Sequence, residues 1–336
     1  MASLSELFPP KPRFTEKNIP DQHGRVFIVT GGASGCGFEV AKALYNLNGR
    51  IYIAGRSISN AQKAIEEIKN SPPAAAQIVK PGKGELHFLF LDLADLSTIK
   101  DSAQEFLSKE QRLDVIWHNA GVMVPPDGSK TKHGFDLQFG TNALGPFLFQ
   151  YFLTPLCLKT ASLPDVKPFA TRVIFVSSSG HRVAPKPDGV NWDDINMESK
   201  TGFKARGLKY GQSKAMNVMH ARDFARRYGS QGLIALSLHP GALKTNLQRT
   251  APGLYNAIFG WMRYHQHYGG LTELFAGLNQ EIDSTKMLED GGKNGSYILP
   301  FGRFGDGSRY VFEGLAKRKT GERLWKLCEE LINEYI

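Results

Sequence analysis

The sequence predicts an α/β fold built around one parallel sheet. Seven short runs of β-branched, aromatic and other apolar residues alternate with segments of helical periodicity between residues 26 and 299. Strands that alternate with helices in this way are typical of parallel pairing. The first strand also ends in a glycine-rich turn that leads directly into a helix. No change of composition divides the chain, so we expect a single doubly wound domain with helices on both faces of the sheet.

The predicted elements follow one another without an internal repeat. Strands are expected at residues 26–29, 51–53, 87–91, 113–117, 172–176, 233–238 and 297–299. Helices are expected at residues 35–47, 60–69, 97–107, 135–158, 210–228 and about 317–335, with Gly145-Pro146 interrupting the fourth. Irregular insertions lie at 71–84, 179–207 and 241–268. Because the last two directly follow strands, they are expected along the carboxyl edge of the sheet, where α/β folds bind ligands.

Composition excludes several classes of protein. With 336 residues, 41% hydrophobic and 22% charged, the chain is long and apolar enough to bury a full core. Lys and Arg exceed Asp and Glu by 41 to 32, and this net charge of +9 favours anionic partners. The basic residues are scattered and match no nucleic-acid-binding motif, so we expect a small-molecule partner and no nucleic acid.

The cysteines and histidines indicate neither a disulfide framework nor a metal site. Cys36, Cys157 and Cys328 are far apart and odd in number, which is typical of a reducing, cytoplasmic setting. The histidines lack the spacing of metal ligands. We expect residues 1–23 to form an N-terminal extension without the apolar core of a signal peptide, and residues 24–336 to form the domain. Since no uninterrupted apolar run reaches about 18 residues, no transmembrane segment is predicted, whereas peripheral membrane contact stays open.

The glycine-rich turn is a candidate phosphate-binding loop. In Thr30-Gly-Gly-Ala-Ser-Gly-Cys-Gly37 the glycines at 31, 35 and 37 let the backbone approach a pyrophosphate at the helix N-terminus. Ser34 lies in the same turn. Cys36 is interpreted as a small side chain packed beside the cofactor and not as a redox switch. The spacing is not that of the G-x-G-x-x-G motif, so the turn alone could also be structural.

Two further motifs indicate the cofactor and the chemistry. At the end of the second strand, where an NAD site would offer Asp or Glu to the ribose, the chain has Gly55-Arg56-Ser57. A guanidinium there favours the 2′-phosphate of NADP, although Arg56 could instead be a solvated surface residue. Tyr210-Gly-Gln-Ser-Lys214 places a phenol and an ammonium on one helix face. A nearby cation would lower the pKa of the phenol toward the range useful for acid/base catalysis.

Together, these motifs resemble those of the short-chain dehydrogenase/reductase family over about residues 24–300. The motifs are Thr30-Gly31-xxx-Gly35-x-Gly37, Asp92-Leu93, Asn119-Ala120-Gly121, Asn142-Ala-Leu-Gly145, Ser177-Ser178, Tyr210-xxx-Lys214 and Pro240-Gly241. Within the family the chain is most similar to the retinol dehydrogenase and protochlorophyllide reductase type and to fungal reductases of that kind. Residues 176–182 and the late Leu324-Trp325 pair carry this closer likeness.

The resemblance implies a Rossmann domain with strand order 3-2-1-4-5-6-7 and a catalytic tetrad. Asn142 would hold a proton-relay water, Ser178 would position the substrate carbonyl, Tyr210 would be the acid/base, and Lys214 would bind the ribose and lower the pKa of Tyr210. The remaining implied cofactor contacts are Asp92 and Leu93 beside the adenine, Asn119, Ala120 and Gly121 along the cofactor, and Pro240, Gly241 and Thr245 at its nicotinamide end.

The chain departs from the family pattern at three places. His118 replaces the usual Asn before Asn119, and the serine block offers Ser177, Ser178 and Ser179, of which Ser178 is chosen because His181 then aligns with the subgroup's histidine. The stretch of 179–207 is an insertion of unassigned role.

The segment after Pro240-Gly241 has an amphipathic pattern. Its apolar stripe includes Leu254, Ile258, Trp261 and Met262. We interpret this stripe as a lid over a lipophilic substrate, with an oligomer contact or a membrane-surface contact as alternatives.

The expected activity is hydride transfer between NADP(H) and a ketone, aldehyde or secondary alcohol, with Tyr210 as general acid/base. Two alternatives stay open. One is an enzyme of the same fold with a different outcome, either double-bond reduction or redox-assisted epimerisation. The other is a noncatalytic NADPH-binding regulator. The chain is expected to act as a monomer or a homodimer.

Overall fold

A computed structural model describes residues 4–71, 82–244, 264–282 and 292–336. The strands are β1 (Val26–Thr30), β2 (Arg50–Gly55), β3 (Glu85–Phe90), β4 (Val115–His118), β5 (Thr171–Val176), β6 (Leu233–Leu238), β7 (Tyr297–Leu299) and β8 (Arg303–Gly305). The helices are α1 (Leu4–Leu7), α2 (Gly35–Asn46), α3 (Ile58–Asn70), α4 (Leu96–Lys109), α5 (Leu137–Phe139), α6 (Gly145–Ala161), α7 (Gly202–Tyr228), α8 (Gln266–Leu278), α9 (Arg309–Arg318) and α10 (Thr320–Ile332).

One sheet contains all eight strands, in the order β3-β2-β1-β4-β5-β6-β7-β8. The first seven are parallel and have the expected order. The eighth strand was not predicted, and the expectation of a wholly parallel sheet is wrong at this edge, because β8 pairs antiparallel with β7 through Leu299 and Arg303. Its residues Arg303–Gly305 are only half-buried and include a single apolar side chain, so no apolar run marks this strand as one marks the equally short β7.

The hydrophobic core lies on both faces of this sheet. Ile28, Ile116 and Phe175 face α4, α6 and α7, whereas their strand neighbours Phe27 and Trp117 face α2, α3 and α8. Successive side chains of a strand point to opposite faces, and here both faces are covered. This explains why the central strands are continuous apolar runs.

Three helices differ from their predicted bounds for identifiable reasons. Helix α7 begins at Gly202, eight residues before the predicted start, because its first turns are mostly solvated and its continuous buried face begins at Tyr210. Gly145-Pro146 does not end the helical run, because the π-helical turn Gly140–Leu144 continues directly into α6, with Pro146 in its first turn. The closing helix expected at about 317–335 begins at Thr320 as α10, because Lys319, whose φ of +51° is left-handed, separates it from α9. The sequence pattern did not predict α8 or α9.

The N-terminal segment is packed against the rest of the molecule. Phe14 and Ile19 belong to the core on the α2 side of the sheet, and the buried carboxylate of Glu6 lies 3.0 Å from the guanidinium of Arg182. Cys36, Cys157 and Cys328 are all buried free thiols. None of the helices in the described ranges is long and apolar enough to cross a membrane.

Candidate active site

The glycine turn connects β1 to α2, and hydrogen bonds link its start to the residues that follow β4. Gly31 and Gly35 have left-handed φ values of +68° and +59°, which glycine adopts without strain. The Asn119 Nδ2 donates to the carbonyl of Thr30 at 2.8 Å, and the Ala120 amide donates to the Thr30 hydroxyl at 2.9 Å. Gly37 and Asn119 are in such close contact that a Cβ at Gly37 would lie 2.6 Å from the Asn119 Nδ2.

The N-terminus of α2 fits an anionic group. Ser34 is the N-cap residue, and its side chain makes no capping hydrogen bond within the described part of the chain. The first amides of a helix have no partner inside the helix and carry its positive dipole end. The turn therefore offers backbone donors of the kind that bind a pyrophosphate.

Cys36 faces away from this turn, toward α8. Its side chain packs in a small apolar cluster with Leu243 and Phe301, and a Cβ at Gly269 would lie 2.5 Å from its sulfur. Burial, followed by the charges of Glu273 and Glu39, raises the pKa of the Cys36 thiol well above its usual range. A thiol held in its protonated form is unreactive, so Cys36 contributes packing.

Three predicted contacts at the adenine end of the cofactor, Arg56, Asp92 and Leu93, follow the neighbouring strands β2 and β3. Arg56 is exposed directly after β2. Asp92, two residues after β3, accepts a hydrogen bond from the amide of Ala94 at 2.9 Å. Leu93 is buried, and Gly145 packs directly against its carbonyl, where no larger residue would fit.

Helix α7 places Tyr210 and Lys214 on one buried face at the carboxyl edge. The ammonium of Lys214 donates to the carbonyl of Val176 at 2.8 Å and lies 5.8 Å from the centre of the Tyr210 ring. Burial lowers the pKa of Lys214 to about 8, and the charge of Glu273 opposes this shift. A buried amine thus lies on the same helix face as a phenol, 5.8 Å from the centre of its ring.

Ser178 and the Tyr210 ring both lie close to Gly180. Its hydroxyl accepts a hydrogen bond from the amide of Gly180 at 3.1 Å. A Cβ at Gly180 would lie 2.9 Å from the Tyr210 ring and 3.4 Å from the Ser178 Oγ. The Ser177 hydroxyl instead donates to the backbone of Lys214 at 2.7 Å. This arrangement supports the choice of Ser178 over its neighbour.

Asn142 lies in a π-helical turn, Gly140–Leu144, that precedes α6, a geometry that is frequent at functional sites. Its amide bonds both backbone groups of Val122, at 2.8 and 2.9 Å, and donates to the Ser213 hydroxyl at 2.9 Å. A Cβ at Gly121 would lie 3.1 Å from the Asn142 Oδ1 and 3.4 Å from the Lys214 Nζ. The four predicted catalytic residues therefore converge around Gly121 and Gly180.

Two polar residues of this region were missed by the sequence reasoning. The Ser213 hydroxyl donates to the carbonyl of Tyr210 at 2.9 Å and so joins it to Asn142; its position between Tyr210 and Lys214 could have indicated it. Glu273 of α8 is fully buried, and among the described residues its carboxyl oxygens have no hydrogen-bond partner. Burial raises the pKa of Glu273 to about 8.

The nicotinamide end is described only in part. Pro240-Gly241 follows β6, and Gly241, with a φ of +115°, donates its amide to the Nδ1 of His239 at 3.3 Å. Beside it, the ring of Phe301 lies 5.2 Å from that of Tyr264 and 5.0 Å from that of Tyr268. The remaining predicted residues, Thr245, Leu254, Ile258, Trp261 and Met262, lie outside the described residues.

Comparisons with known proteins agree with this arrangement. The family model described as short chain dehydrogenase matches residues 25–186. A short-chain dehydrogenase/reductase of Armillaria gallica is 39% identical over 332 residues, which cover 99% of this chain and 98% of that protein. Another, from Emericella nidulans, is 37% identical over 327 residues, covering 97% of this chain and 98% of that protein. The structure of an uncharacterized protein from Mycobacterium paratuberculosis has a TM-score of 0.65 and 25% identity, with 95% of this chain and 97% of that chain covered.

The expected likeness to fungal short-chain reductases is thereby confirmed. Relatives more than 30% identical match nearly the full length of this chain. The sheet order, the glycine turn and the Tyr210/Lys214 helix lie where the resemblance implied. The chain belongs to the short-chain dehydrogenase/reductase family, whose members are oxidoreductases that bind nicotinamide cofactors.

Proposed function

We propose that the protein is an NADPH-dependent carbonyl reductase or alcohol dehydrogenase in which Tyr210 exchanges a proton with the substrate oxygen. The convergence of Tyr210, Ser178, Lys214 and Asn142 carries this proposal. A phenol, a hydroxyl and a buried ammonium at the carboxyl edge of the sheet are the groups that protonation of a carbonyl oxygen needs.

Each residue has a distinct task in this reaction. When bound, a nicotinamide dinucleotide would supply the hydride for the carbonyl carbon or accept it from the alcohol carbon. Ser178 holds the substrate oxygen by a hydrogen bond, and Tyr210 transfers the proton to or from that oxygen. The Lys214 ammonium, 5.8 Å from the Tyr210 ring centre, favours the phenolate electrostatically and so lowers the cost of losing the proton. Asn142 and Ser213 fix the helix turn that presents the phenol.

The end of β2 supports NADP over NAD. Arg56 is exposed there, and no heavy atom of the described chain lies within 4 Å of the position that a Cβ would take at Gly55. A ribose 2′-phosphate would therefore find space beside a guanidinium, and positions 55–57 contain no carboxylate that would repel it.

An apolar wall beside Gly241 supports a lipophilic substrate. Phe301 and Leu243 are buried there, and Tyr264 packs on them. Aromatic rings beside the proposed nicotinamide end of the cofactor would exclude water from the substrate and favour a hydrophobic molecule.

A panel of aldehydes and ketones, followed by the loss of NADPH absorbance, tests the proposed function. With NADPH deuterated at the transferred position, we expect deuterium on the carbinol carbon of the product. Deuterium on a former alkene carbon would indicate double-bond reduction, and epimerisation would proceed without net consumption of NADPH. Cofactor binding without turnover of any substrate would instead indicate a regulatory protein.

A further inference from the structure

We propose that His181 is a positioning residue for the proposed reaction, one that holds the catalytic Ser178 through its backbone carbonyl in a tautomer fixed by the amide of Ser308. The inference rests on the proposed function, because it acts through Ser178. It assigns a task to the fully buried imidazole of His181, to which the proposed reaction gives no other role.

The imidazole is bonded at both nitrogens. His181 is fully buried in the short helical turn Ser179–Val183, directly after Ser178. Its Nδ1 lies 2.5 Å from the carbonyl oxygen of Ser178, and its Nε2 lies 2.7 Å from the amide nitrogen of Ser308. A Cβ at Gly307 would lie 2.6 Å from the same Nε2, so this segment approaches the ring through its backbone.

These two partners determine the tautomer. A backbone amide can only donate, so Nε2 must be the unprotonated acceptor toward Ser308. A carbonyl can only accept, so Nδ1 must carry the proton that is donated to Ser178. Burial lowers the pKa of His181 to about 4, which keeps the ring neutral at physiological pH. The ring is therefore a fixed connector between two backbone groups.

The connection reaches the reacting hydroxyl through one residue. The Ser178 carbonyl also accepts the His181 amide at 3.1 Å, and the Ser178 hydroxyl accepts the Gly180 amide at 3.1 Å. Both polar ends of Ser178 are thus held by the same turn. Without the Nδ1 bond, the carbonyl would lose its shorter donor, and the orientation of the hydroxyl toward Tyr210 would be less restricted.

The far side of the ring is itself anchored. Arg182 donates to the carbonyls of Asp306 and Gly307 at 2.7 and 2.9 Å, which fixes the segment that presents the Ser308 amide. The Tyr297 hydroxyl lies 3.4 Å from the His181 Nδ1. The C-terminal part of the chain, more than a hundred residues away in sequence, therefore sets the position of the catalytic serine.

Two conservative variants separate the two bonds. In His181→Asn, the side-chain amide can donate to Ser178 from the place of Nδ1 but has no atom at the place of Nε2. In His181→Gln, the side-chain oxygen can accept from Ser308 while Ser178 loses its side-chain donor. We expect kcat to fall about 10- to 100-fold in His181→Gln, since a misplaced group can cost about two orders of magnitude. KM and the Kd for NADPH should stay within about 3-fold.

His181→Asn should keep kcat within about 5-fold of the wild type even though its Tm falls, because the Ser308 amide is left unpaired. If kcat instead follows Tm across both variants, His181 has only a structural role and the proposal is wrong. A second readout is His181→Gln in a Ser178→Ala background. There it should lower kcat by less than about 3-fold relative to Ser178→Ala alone. An equal loss with and without the serine would also overturn the proposal.

A test that does not depend on activity completes the experiment. In protein labelled with ¹⁵N-histidine, the His181 resonances, identified by their absence in His181→Asn, should show a protonated Nδ1 and an unprotonated Nε2 near neutral pH. The opposite tautomer or a charged ring would contradict the proposal. Failure of the proposed function has a different signature, namely a wild-type protein that turns over no carbonyl although the tautomer is as stated.

Discussion

Arg56 is the residue on which the choice of cofactor depends. A charge-assisted hydrogen bond to phosphate contributes about 1.5 to 3 kcal/mol. Replacing Arg56 by Ala should therefore lower the preference for NADPH over NADH by about 10- to 100-fold, chiefly by weakening NADPH. The measurement is kcat/KM for both cofactors in wild type and variant.

Lys63→Ala is the matched control for Arg56, since Lys63 is an exposed cation on the neighbouring helix α3. It should leave the preference unchanged. Adding Gly55→Asp to Arg56→Ala should raise the use of NADH, because a carboxylate accepts from a free 2′-hydroxyl, and open space at Gly55 can admit the side chain. Equal losses for NADH and NADPH in Arg56→Ala would show that the arginine does not bind the phosphate.

At the residue scale, the spacing of nearby residues allowed the catalytic pair to be predicted. Contacts between residues far apart in the sequence could not be predicted in this way. Tyr210 and Lys214 are four residues apart on a helix, so their common face follows from the sequence. The hydrogen bond between His181 and Ser308 joins residues 127 positions apart, and no local sequence pattern predicts it. The buried Glu273 is equally hidden, because its burial depends on how α8 packs beneath the sheet.

Helix α8 and strand β4 are packed so closely that one added methyl group should push them apart. Gly277 of α8 lies against the fully buried indole of Trp117, and an added Cβ would overlap it. Gly277→Ala should lower the free energy of unfolding by about 1 to 3 kcal/mol through overpacking. This exceeds the gain of up to about 1 kcal/mol expected from better helix propensity.

Gly207→Ala in α7 is the control for Gly277, since no heavy atom of the described chain lies within 4 Å of the added Cβ. There the propensity gain should stand alone, and stability should rise by up to about 1 kcal/mol. Urea unfolding of both variants measures the difference. If Gly277→Ala were as stable as Gly207→Ala, the helix would be able to move away from Trp117, and the close packing would not limit stability.

At the element scale, the sequence pattern located most of the buried elements and missed solvated ones. It also missed the buried helix α8, whose N-terminal part contains Gly269 and Gly270, residues of low helix propensity. The predicted start of α7 at Tyr210 coincides with the start of its buried face, while the mostly polar turns from Gly202 show no periodic stripe. Strand β8 is missed because its three residues are half-buried and include one apolar side chain, whereas the equally short β7 is wholly apolar and buried. The division between α9 and α10 depends on the left-handed φ of Lys319. Lysine rarely adopts this conformation, so the sequence does not predict the break.

Across the whole molecule, four buried histidines should make the fold sensitive to acid. Burial lowers the pKa values of His118, His181 and His239 to about 4 and that of His220 to about 3. In the unfolded chain a histidine titrates near about 6.5. Between these values the unfolded state binds more protons than the folded state, so the free energy of unfolding falls as the pH falls below about 6.5.

Each such histidine contributes a slope of up to about 1.4 kcal/mol per pH unit in that window. Urea unfolding between about pH 7 and about pH 5 measures the total slope. His118→Asn should reduce the total slope by up to about 1.4 kcal/mol per pH unit, the contribution of one histidine. His23→Gln, at an exposed position, should leave the slope unchanged. A stability that is constant across this range would contradict the burial of these rings in neutral form.

The most direct test of the central claim is the turnover of Tyr210→Phe with NADPH and a reducible carbonyl. Phenylalanine keeps the ring that packs against Gly180 and removes only the hydroxyl. Because general acid catalysis contributes about 10²- to 10⁴-fold, we predict turnover below about a hundredth of the wild-type rate, with the Kd for NADPH within about 3-fold. A variant that binds NADPH normally and retains more than about a tenth of the wild-type turnover would contradict the assignment of Tyr210 as the acid.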